Sequence, residues 1–478
     1  MKKNIILIFS IATFAISSCS KTIETQETDL IAGSTALLTV ANNESAVIGA
    51  YAAMNVEQGF LLNSVFADEV RVADFYNAAT NHEWQYGSAD VGLRDNYTAM
   101  TPQYRVIDRV NRVLAALPTA TSTIASAATD PALKLRLRGE ALFLRAFAHF
   151  ELYRFYSNSA VGTDLAMPYL TAPSISPQAR ITVAEYFTKL KADLAEAKTL
   201  VPDNLTDVQR ATKLAVTGLQ ARMSIYLKEW ANAVTFSTEY INGLPLATRT
   251  NFPGIWTDAN RNEVAFQLTR SNTVGGRIGS LWRGTSASSA AIGTITWRPS
   301  DKLWNAYDQV NDIRFASYFK DEPLLLTQNR SSTRLINKYA GTTYGSTNEN
   351  VANAKVFRTG EMYLIRAEAK AETGDLAGGT ADLNTLRAAR INGYTNASFG
   401  TKDDLITAVL DERFKELPYE GHRFWDLKRR GLPVTRLTAD APNSASTTLS
   451  ANNFRFLLPI PLTEIQANPL IQQNPGYN

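Results

Sequence analysis

The chain has 478 residues, with 48 lysine and arginine residues against 45 aspartate and glutamate residues, so its formal net charge is +3. A balanced charge without a basic run gives no indication of nucleic-acid binding. A single cysteine excludes an intrachain disulfide, and histidine occurs only at His82, His149 and His422, which argues against a zinc site. The chain has neither a phosphate-binding glycine loop nor a G-x-S-x-G motif. We therefore expect no cofactor and no metal.

The N-terminus has the pattern of a secretory signal. Two lysines precede an almost unbroken apolar run at residues 5–16, and two serines then lead to Cys19, the one cysteine of the chain. The run is too short to span a bilayer, which takes about 20 apolar residues. We predict a lipoprotein signal peptide at residues 1–18, a lipid on the Cys19 thiol, and a flexible polar tether at residues 19–34. The alternative is a plain signal peptide, in which Cys19 is lost or left free.

The body of the chain, residues 35–478, has mainly helical periodicity. Apolar residues recur at steps of three and four, which predicts helices in residues 136–156, 181–202, 213–241 (with a break near 228–230) and 358–390. Thr182 and Glu185 form a capping box at the start of the second segment. In the last segment Gly374 suits the end of one helix and Asp375 the start of the next, which predicts a helical hairpin.

Long irregular segments separate the predicted helices. They are rich in glycine, serine, threonine and asparagine, and they lie at residues 271–296, 340–354 and 438–453. The best strand-like runs are residues 263–270 and 454–461. The pattern predicts a mainly α fold, in which tetratricopeptide-like helix pairs form a scaffold decorated with long loops and a few short strands. Loops on a rigid frame are where binding sites usually lie.

Motifs in order along the chain resemble the SusD/RagB family of glycan-binding outer-membrane lipoproteins of Bacteroidetes. They are ALFLRAFAHFELYRFYSN (141–158), EMYLIRAEAKAETGDLAGGTADLNTLRAAR (361–390), DERFKELPYEGHRFWDLKRRG (411–431) and LLPIPLTEIQANPLIQQNPGYN (457–478). The resemblance runs in order from near residue 40 to the last residue. It implies a right-handed helical scaffold, with an N-terminal half near 35–235, a loop-rich middle near 236–320 and a C-terminal half near 321–478.

The same resemblance implies a role for the protein. Members of the family are not enzymes; they bind oligosaccharides at the cell surface and lie as a lid over a SusC-like TonB-dependent β-barrel transporter. The expectation is therefore a lipid-anchored protein on the outer membrane, facing outwards, that passes oligosaccharides to such a barrel. One branch of the family serves peptide import, and a fold does not fix a ligand class, so a peptide-binding lipoprotein stays open as an alternative.

Residues 411–431 hold the densest cluster of ionisable groups. A glycosidase would use two carboxylates, but nothing in the pattern isolates Glu412 or Glu416 in an apolar pocket, as a general acid needs. We interpret the cluster as a structural motif that fixes a bend between two helices; its members are Glu412, Arg413, Glu416, Glu420, Arg423 and Asp426. The glutamates are expected to pair with Arg413, Arg423, Lys428 and Arg429. A surface enzyme that uses Glu412 and Glu416 is the remaining alternative.

Other notable side chains are also assigned to structure. Arg145 lies amid an apolar helix face and is expected to pair with Glu361 or Glu368. We assign three further aromatic residues, Trp297, Trp304 and Tyr307, to packing. In the same stretch, Asp312 and Arg314 are expected to hold a turn.

A sugar-binding site needs an exposed aromatic ring, on which the C–H face of a pyranose stacks, with polar side chains around it for the hydroxyl groups. Two loop stretches, residues 67–87 and 271–289, offer this mixture. We predict that Trp84 and Trp282 form the stacking platform. The expected supporting residues are Tyr76, Tyr86, Arg71, Asp68 and Asn81. For each aromatic residue alone, packing in the core is the alternative.

Overall fold

The computed structural model of the chain describes residues 36–76, 82–84, 87, 100–157, 160–273 and 276–477, and in these residues the fold is mainly helical, as predicted. The helices are α1 (Val40–Ala53), α2 (Glu57–Phe66), α3 (Met100–Ala116), α4 (Asp130–Tyr156), α5 (Val183–Leu200), α6 (Lys213–Tyr226), α7 (Trp230–Gly243), α8 (Phe252–Trp256), α9 (Asp301–Trp304), α10 (Ile313–Tyr318), α11 (Leu324–Thr327), α12 (Thr359–Glu372), α13 (Leu376–Arg390), α14 (Lys402–Glu416), α15 (Arg423–Arg430) and α16 (Leu462–Ala467). The strands are β1 (Val70–Val72), β2 (Val264–Leu268), β3 (Trp297–Pro299), β4 (Phe319–Asp321), β5 (Arg334–Ile336), β6 (Ala354–Arg358), β7 (Val434–Thr435) and β8 (Thr448–Leu449). None of the described helices is long and apolar enough to cross a membrane.

The helix α4 carries much of the core, since nearly all of its residues from Leu137 onwards are buried. It packs against both α3 and α5. Gly139 would weaken an isolated helix by about 1 kcal/mol relative to alanine. In the fold, however, a Cβ at this position would lie only 2.8 Å from the Cβ of Leu200 at the end of α5. The glycine therefore permits the close approach of two helices.

The local signals for helix ends are confirmed. The Thr182 side chain accepts a hydrogen bond from the backbone N–H of Glu185, and α6 and α7 are separated at Leu227–Glu229. Gly374 has a φ of +90° between α12 and α13, and the Asp375 carboxylate caps α13. Helices α12 and α13 therefore form the predicted hairpin, with Ala367 packed close to α13.

The strands form two-stranded antiparallel pairs: β1 with β3, β2 with β6, β4 with β5, and β7 with β8. The strand predicted at residues 263–270 is confirmed as β2. The strand predicted at 454–461 is wrong: Phe454–Phe456 is a short 3₁₀ helix, and the residues after it join no sheet. The Gln473 side chain instead bonds both the N–H and the C=O of Ile460, at 2.8 Å each. A side chain thus takes the backbone groups that a partner strand would use.

The largest hydrophobic cluster joins distant parts of the chain, from Val40 to Tyr477. A second cluster lies between α12, α13 and α14 and includes Leu364, Leu383 and Leu405. A small third cluster lies under the loops, which we call the satellite cluster; its buried members are Ile292, Ile295, Leu325 and Leu335. Trp297, Trp304 and Tyr307 are buried in the largest cluster, in agreement with their assignment to packing.

The glutamates of residues 411–431 are buried in a network of ion pairs. Glu416 accepts hydrogen bonds from Arg314, Arg358 and Arg390, at 3.1, 3.0 and 3.0 Å. Arg314 also donates to Glu412 at 2.6 Å and to Asp312 at 2.7 Å, so the predicted turn is present. All of these side chains are almost completely excluded from solvent.

The predicted partners within the cluster are wrong. Glu420 pairs with Lys338 and Arg358, which come from other elements. The arginines of the cluster bind elsewhere: Arg413 to Asp426 and Arg423 to Asp68, at 2.7 and 2.8 Å. Arg429 pairs with Glu368 and Asp426, and Lys428 donates to backbone carbonyls. The cluster therefore joins remote elements to α14 and α15, in addition to shaping the bend between them.

Arg145 also has a different partner from the predicted one. Its guanidinium forms two hydrogen bonds with the Asp193 carboxylate on α5, at 2.7 and 2.6 Å. Glu361 pairs with Arg222, and Glu368 pairs with Arg429. The helix face is as predicted, but α5 lies closer to Arg145 than the C-terminal helices do.

Truncation of Glu416 tests the structural role of this network. Glu416→Ala leaves three buried guanidinium groups without a shared carboxylate, so the free energy of unfolding should fall by about 3–5 kcal/mol. Denaturant unfolding followed by circular dichroism measures the change. Asp411→Ala, at an exposed carboxylate on the same helix, is the control and should change the stability by less than about 0.5 kcal/mol. Equal effects of the two substitutions would contradict the assignment.

A second buried carboxyl responds to pH. Glu69 is almost fully excluded from solvent; its Oε2 accepts hydrogen bonds from Ser64 and from the Tyr419 backbone, while its Oε1 has no partner among the described residues. Burial, with a smaller contribution from Asp68, raises the pKa of Glu69 to about 7, from an ordinary value of 4.5. The folded state therefore binds this proton more tightly than the unfolded chain does.

This difference gives a pH-dependent stability. Because the pKa is raised on folding, the stabilising effect of the proton is fully present below pH 4.5 and is lost as pH rises through 7. Glu69→Gln removes that loss, so the variant should gain up to about 3 kcal/mol relative to the wild type between pH 4.5 and 8. Urea unfolding across this range measures it, with Glu185→Gln as the surface control. A constant difference between variant and wild type at every pH would refute the effect.

Candidate functional site

The two tryptophans predicted as a stacking platform are buried, so that prediction is wrong for this structure. Trp84 is 3% exposed; its Nε1 donates to the Phe66 carbonyl at 2.9 Å, and the Arg436 guanidinium lies 4.1 Å from its ring centroid. Trp282 is 1% exposed and packs against Tyr419, with 5.1 Å between ring centroids. Neither indole presents a face to solvent on which a sugar ring could stack.

Of the other predicted site residues, one is buried, two are partly buried and two lie outside the described residues. Asp68 is buried and held by Arg423 and by Lys302, so it is not free to bind a hydroxyl group. Although burial alone would raise the pKa of Asp68, these two cations lower it to about 2.

Two of the predicted residues are partly buried at the surface. Arg71 pairs with Asp301 at 2.7 Å, and Tyr76 donates to Glu83 at 3.1 Å. The Tyr76 ring packs on Trp297, with 5.1 Å between centroids. Tyr86, Asn81 and the predicted lipid anchor Cys19 lie outside the described residues.

The carboxylates considered for a glycosidase have the opposite electrostatics to a general acid. Burial alone would raise the pKa of Glu412, but Arg314, Lys415 and Arg387 outweigh it and lower the pKa to about 2. The pKa of Glu416 is likewise lowered, because Arg390, Arg358 and Arg314 outweigh its burial. Both groups therefore stay ionised and ion-paired at neutral pH. The described residues also contain no group of three histidine, cysteine, aspartate or glutamate side chains arranged to hold a metal ion.

A cavity of about 550 Å³ lies between the loop after β5 and the helices α8 and α10. Its lining combines aromatic and polar groups: Tyr344 and Trp256, with Ser289, Ser317, Asn337 and Thr342. Trp256 is buried, and its indole Nε1 has no hydrogen-bond partner among the described residues. The partly exposed Tyr344 ring, with hydroxyl and amide groups around it, offers the mixture that a pyranose ring needs. We call this cavity the Tyr344 cavity.

Tyr344 is held in place by its hydroxyl group. It donates to the Glu322 carboxylate at 2.9 Å and accepts from the Lys320 ammonium at 3.2 Å, while Lys320 and Glu322 form an ion pair at 2.6 Å. Burial raises the pKa of Tyr344, so the phenol stays protonated at neutral pH. The ring is only partly buried, with the Arg283 guanidinium 4.8 Å from its centroid. The tether through the hydroxyl group thus fixes a ring that a ligand can reach.

A buried glutamate joins the two loops at the cavity. Glu349 accepts hydrogen bonds from the backbone N–H and the side chain of Ser286, at 2.8 and 2.7 Å, and from the Gly345 N–H at 2.8 Å. The Asn350 side chain bonds Arg283 in the same way, accepting from its guanidinium and donating to its carbonyl. The loops predicted at residues 271–296 and 340–354 are therefore held together by side chains that satisfy the backbone.

Gly345 shows why this loop contains glycine. Its φ is +72°, a conformation that other residues rarely adopt, and a Cβ there would lie 2.7 Å from the Cα of Ser288. The close approach brings the two loops into contact beside Tyr344.

Sequence reasoning missed Tyr344, although a signal for it exists. Tyr344 lies in GTTYGSTNEN, an irregular segment rich in glycine and hydroxyl residues, which is the same criterion that selected Trp282. The size of the indole favoured tryptophan as the platform, but larger rings are also more readily buried. A tyrosine carries a hydroxyl group that can be tethered at the protein surface.

The chain matches known families along most of its length. Residues 297–477 match the family model described as the SusD family, and residues 25–227 match the one described as starch-binding, associating with the outer membrane. SusD-like protein P25 of Formosa agariphila is 22% identical over 544 aligned positions, which cover 100% of this chain and 99% of the relative. SusD-like protein P2 of the same organism is 25% identical, with 98% and 99% covered.

Solved structures share the fold. A SusD superfamily protein from Bacteroides thetaiotaomicron aligns with a TM-score of 0.78 at 22% identity, covering 91% of this chain and 100% of that one. A putative sugar binding protein from Bacteroides vulgatus aligns with a TM-score of 0.76 at 24% identity, covering 93% and 100%. A laminarin binding SusD-like protein aligns with a TM-score of 0.72 at 20% identity, covering 91% and 99%.

The fold is mainly helical and is shared with solved structures of SusD superfamily proteins. The chain belongs to the SusD/RagB family.

Proposed function

We propose that this protein is a cell-surface lipoprotein that binds oligosaccharides in the Tyr344 cavity and passes them to a SusC-like TonB-dependent transporter. The observation that carries the proposal is the cavity itself, where a tethered, partly exposed tyrosine ring lies among serine, threonine and asparagine side chains. An open site of this kind lacks a deep charged pocket, so we expect micromolar to millimolar affinity, about −4 to −8 kcal/mol. Weak binding suits a protein that must release its cargo to a transporter.

Relatives support the ligand class. One solved neighbour is named as laminarin binding and another as a putative sugar binding protein, and one matching family is described as starch-binding. That same family is described as associating with the outer membrane. A SusC-like partner and a lipid on Cys19 complete the proposal, because a binding protein held beside a transporter shortens the path of its ligand.

Substitution of Tyr344 tests the proposed site. Tyr344→Ala removes the stacking surface and should weaken binding of an oligosaccharide identified on a glycan array by about tenfold, since a ring contact together with its buried area contributes about 1.4 kcal/mol. Tyr344→Phe keeps the ring and should retain most of the affinity. Isothermal titration calorimetry measures both.

Tyr394→Ala is the matched control, because Tyr394 is also a partly buried tyrosine in a loop, with its hydroxyl donated to Asn384. It should leave the affinity unchanged. If Tyr344→Ala binds like the wild type, the site lies elsewhere. If the protein binds peptide pools and no glycan, the peptide-binding alternative replaces the proposal.

The lipid anchor is tested separately. Cys19→Ser removes the thiol that would carry the lipid, so the protein should move from the membrane fraction to the soluble fraction while its glycan affinity stays the same. Fractionation followed by immunoblotting measures the shift, in cells that lack the neighbouring barrel so that the partner cannot retain the protein. A serine variant that still sediments with the outer membrane would refute the assignment.

A further inference from the structure

Two arginine side chains lie together at the surface beside an exposed phenylalanine. The guanidinium of Arg330 is 4.3 Å from the ring centroid of Phe75, which is 38% exposed. The next residue, Ser331, accepts a hydrogen bond from Arg298 at 3.2 Å through its hydroxyl group and donates its backbone N–H to Asp74 at 3.2 Å. These contacts bring Arg298, Arg330 and Phe75 to one place, which we call the arginine patch.

Strand pairing places like charges opposite each other at this patch. Arg298 on β3 is directly opposite Arg71 on β1, an arrangement that normally destabilises a sheet. Arg71 has an ion-pair partner, since it shares the carboxylate of Asp301 with Arg334, at 2.7 Å each. Arg298 has no ion pair among the described residues. Burial, and then the charge of Arg71, lower the pKa of Arg298.

Arg330, like Arg298, is a guanidinium without a carboxylate partner among the described residues. Its Nε is buried without a hydrogen-bond partner, and it forms no ion pair with any described residue. The carboxylates whose charge acts on Arg298 are Asp74 and Asp301, and Asp301 is already shared by Arg71 and Arg334. Arg298 and Arg330 therefore both lack an ion pair among the described residues; Arg298 donates to Ser331, and Arg330, the residue before it, lies over the Phe75 ring. A buried charge is normally paired, so a partly buried guanidinium without a carboxylate partner is suited to binding an anion.

We propose that the arginine patch is a subsite for an acidic group of a saccharide, either a uronate carboxylate or a sulfate ester, with the sugar ring against Phe75. A planar guanidinium binds either group through paired hydrogen bonds. A saccharide fits the site better than a free ion does, because an exposed aromatic ring lies beside the charges.

The location links the patch to the Tyr344 cavity. Both Tyr344 and Ala73, two residues before Phe75, pack on the satellite cluster. The backbone of Phe75 also bonds Ile295 of that cluster at 3.0 Å. The inference rests on the proposed function in that it names the class of glycan, acidic rather than neutral. The subsite adds charge recognition to a cavity whose lining is mostly uncharged.

Saturation-transfer difference NMR tests the subsite with small probes. The probes are methyl glucuronide and a 6-sulfated methyl glucoside, compared with neutral methyl glucoside. The wild type should bind the charged probes about tenfold more tightly than the neutral one, since a charge-assisted hydrogen bond contributes enough for that ratio. Arg298→Gln combined with Arg330→Gln should abolish the difference, and added salt should reduce it.

Arg261→Gln is the control, because Arg261 is exposed and has no ion pair among the described residues. A melting curve of each variant confirms folding, and inorganic sulfate at equal ionic strength tests whether a free anion competes as well as the sulfated sugar. Binding of the sulfated sugar in preference to free sulfate supports a saccharide subsite. Any of three results overturns the proposal: free sulfate competes as well as the sulfated sugar, the charged and neutral probes bind equally, or the double variant keeps the preference for charged probes.

The outcome can be separated from that of the proposed function. If Tyr344→Ala abolishes oligosaccharide binding while the wild type shows no preference for acidic probes, the Tyr344 cavity stands and the arginine patch fails. If the acidic probes bind through Arg298 and Arg330 while Tyr344→Ala has no effect on oligosaccharide affinity, the patch stands and the proposed cavity fails.

Discussion

The shared carboxylate of Glu416 is the interaction on which the arrangement of the C-terminal half depends. Arg314, Arg358 and Arg390 reach it from α10, the end of β6 and the end of α13, and Glu263 joins the last two arginines from the other side. Each of these charges loses its hydration on burial, so a partial set would cost free energy that only the complete set offsets. The elements that carry them therefore have to take their positions together.

The network extends to the loop that carries the proposed site. Glu420 bonds Arg358 and also Lys338, whose ammonium lies 4.2 Å from the ring centroid of Trp256 and donates to the Pro418 carbonyl. Lys338 lies six residues before Tyr344, and Trp256 lines the Tyr344 cavity. One side of the cavity is thus fixed by buried charge, and the other by Glu349 and its backbone partners. A shallow site built from loops can be rigid when the loops are tied down in this way.

The range of an interaction decides whether the sequence predicts it. The cap at Thr182 and the turn at Gly374 depend on residues at most four apart, and both are confirmed. The partners of Glu416 lie from 26 to 102 residues away, so composition and spacing cannot identify them. The same limit explains the tryptophans: Trp282 looks exposed in a glycine-rich loop, but Tyr419 from the far end of the chain covers it. The family resemblance indicated the fold but not the site, because the contacts that build the Tyr344 cavity lie in loops outside the matching motifs.

Arginines of two kinds occur in this protein: some stabilise the fold through buried ion pairs, and others are proposed to bind a ligand. Arg314, Arg358 and Arg390 are completely buried, and each has several carboxylate oxygens within hydrogen-bond distance. Arg298 is half-buried opposite another arginine, and it lacks such a partner among the described residues. Folding alone gives no reason to keep a like-charge pair across two short strands, since a neutral residue at position 298 would relieve the repulsion. An anion that arrives with a ligand does give a reason, because it converts the repulsion into binding energy at the moment of association.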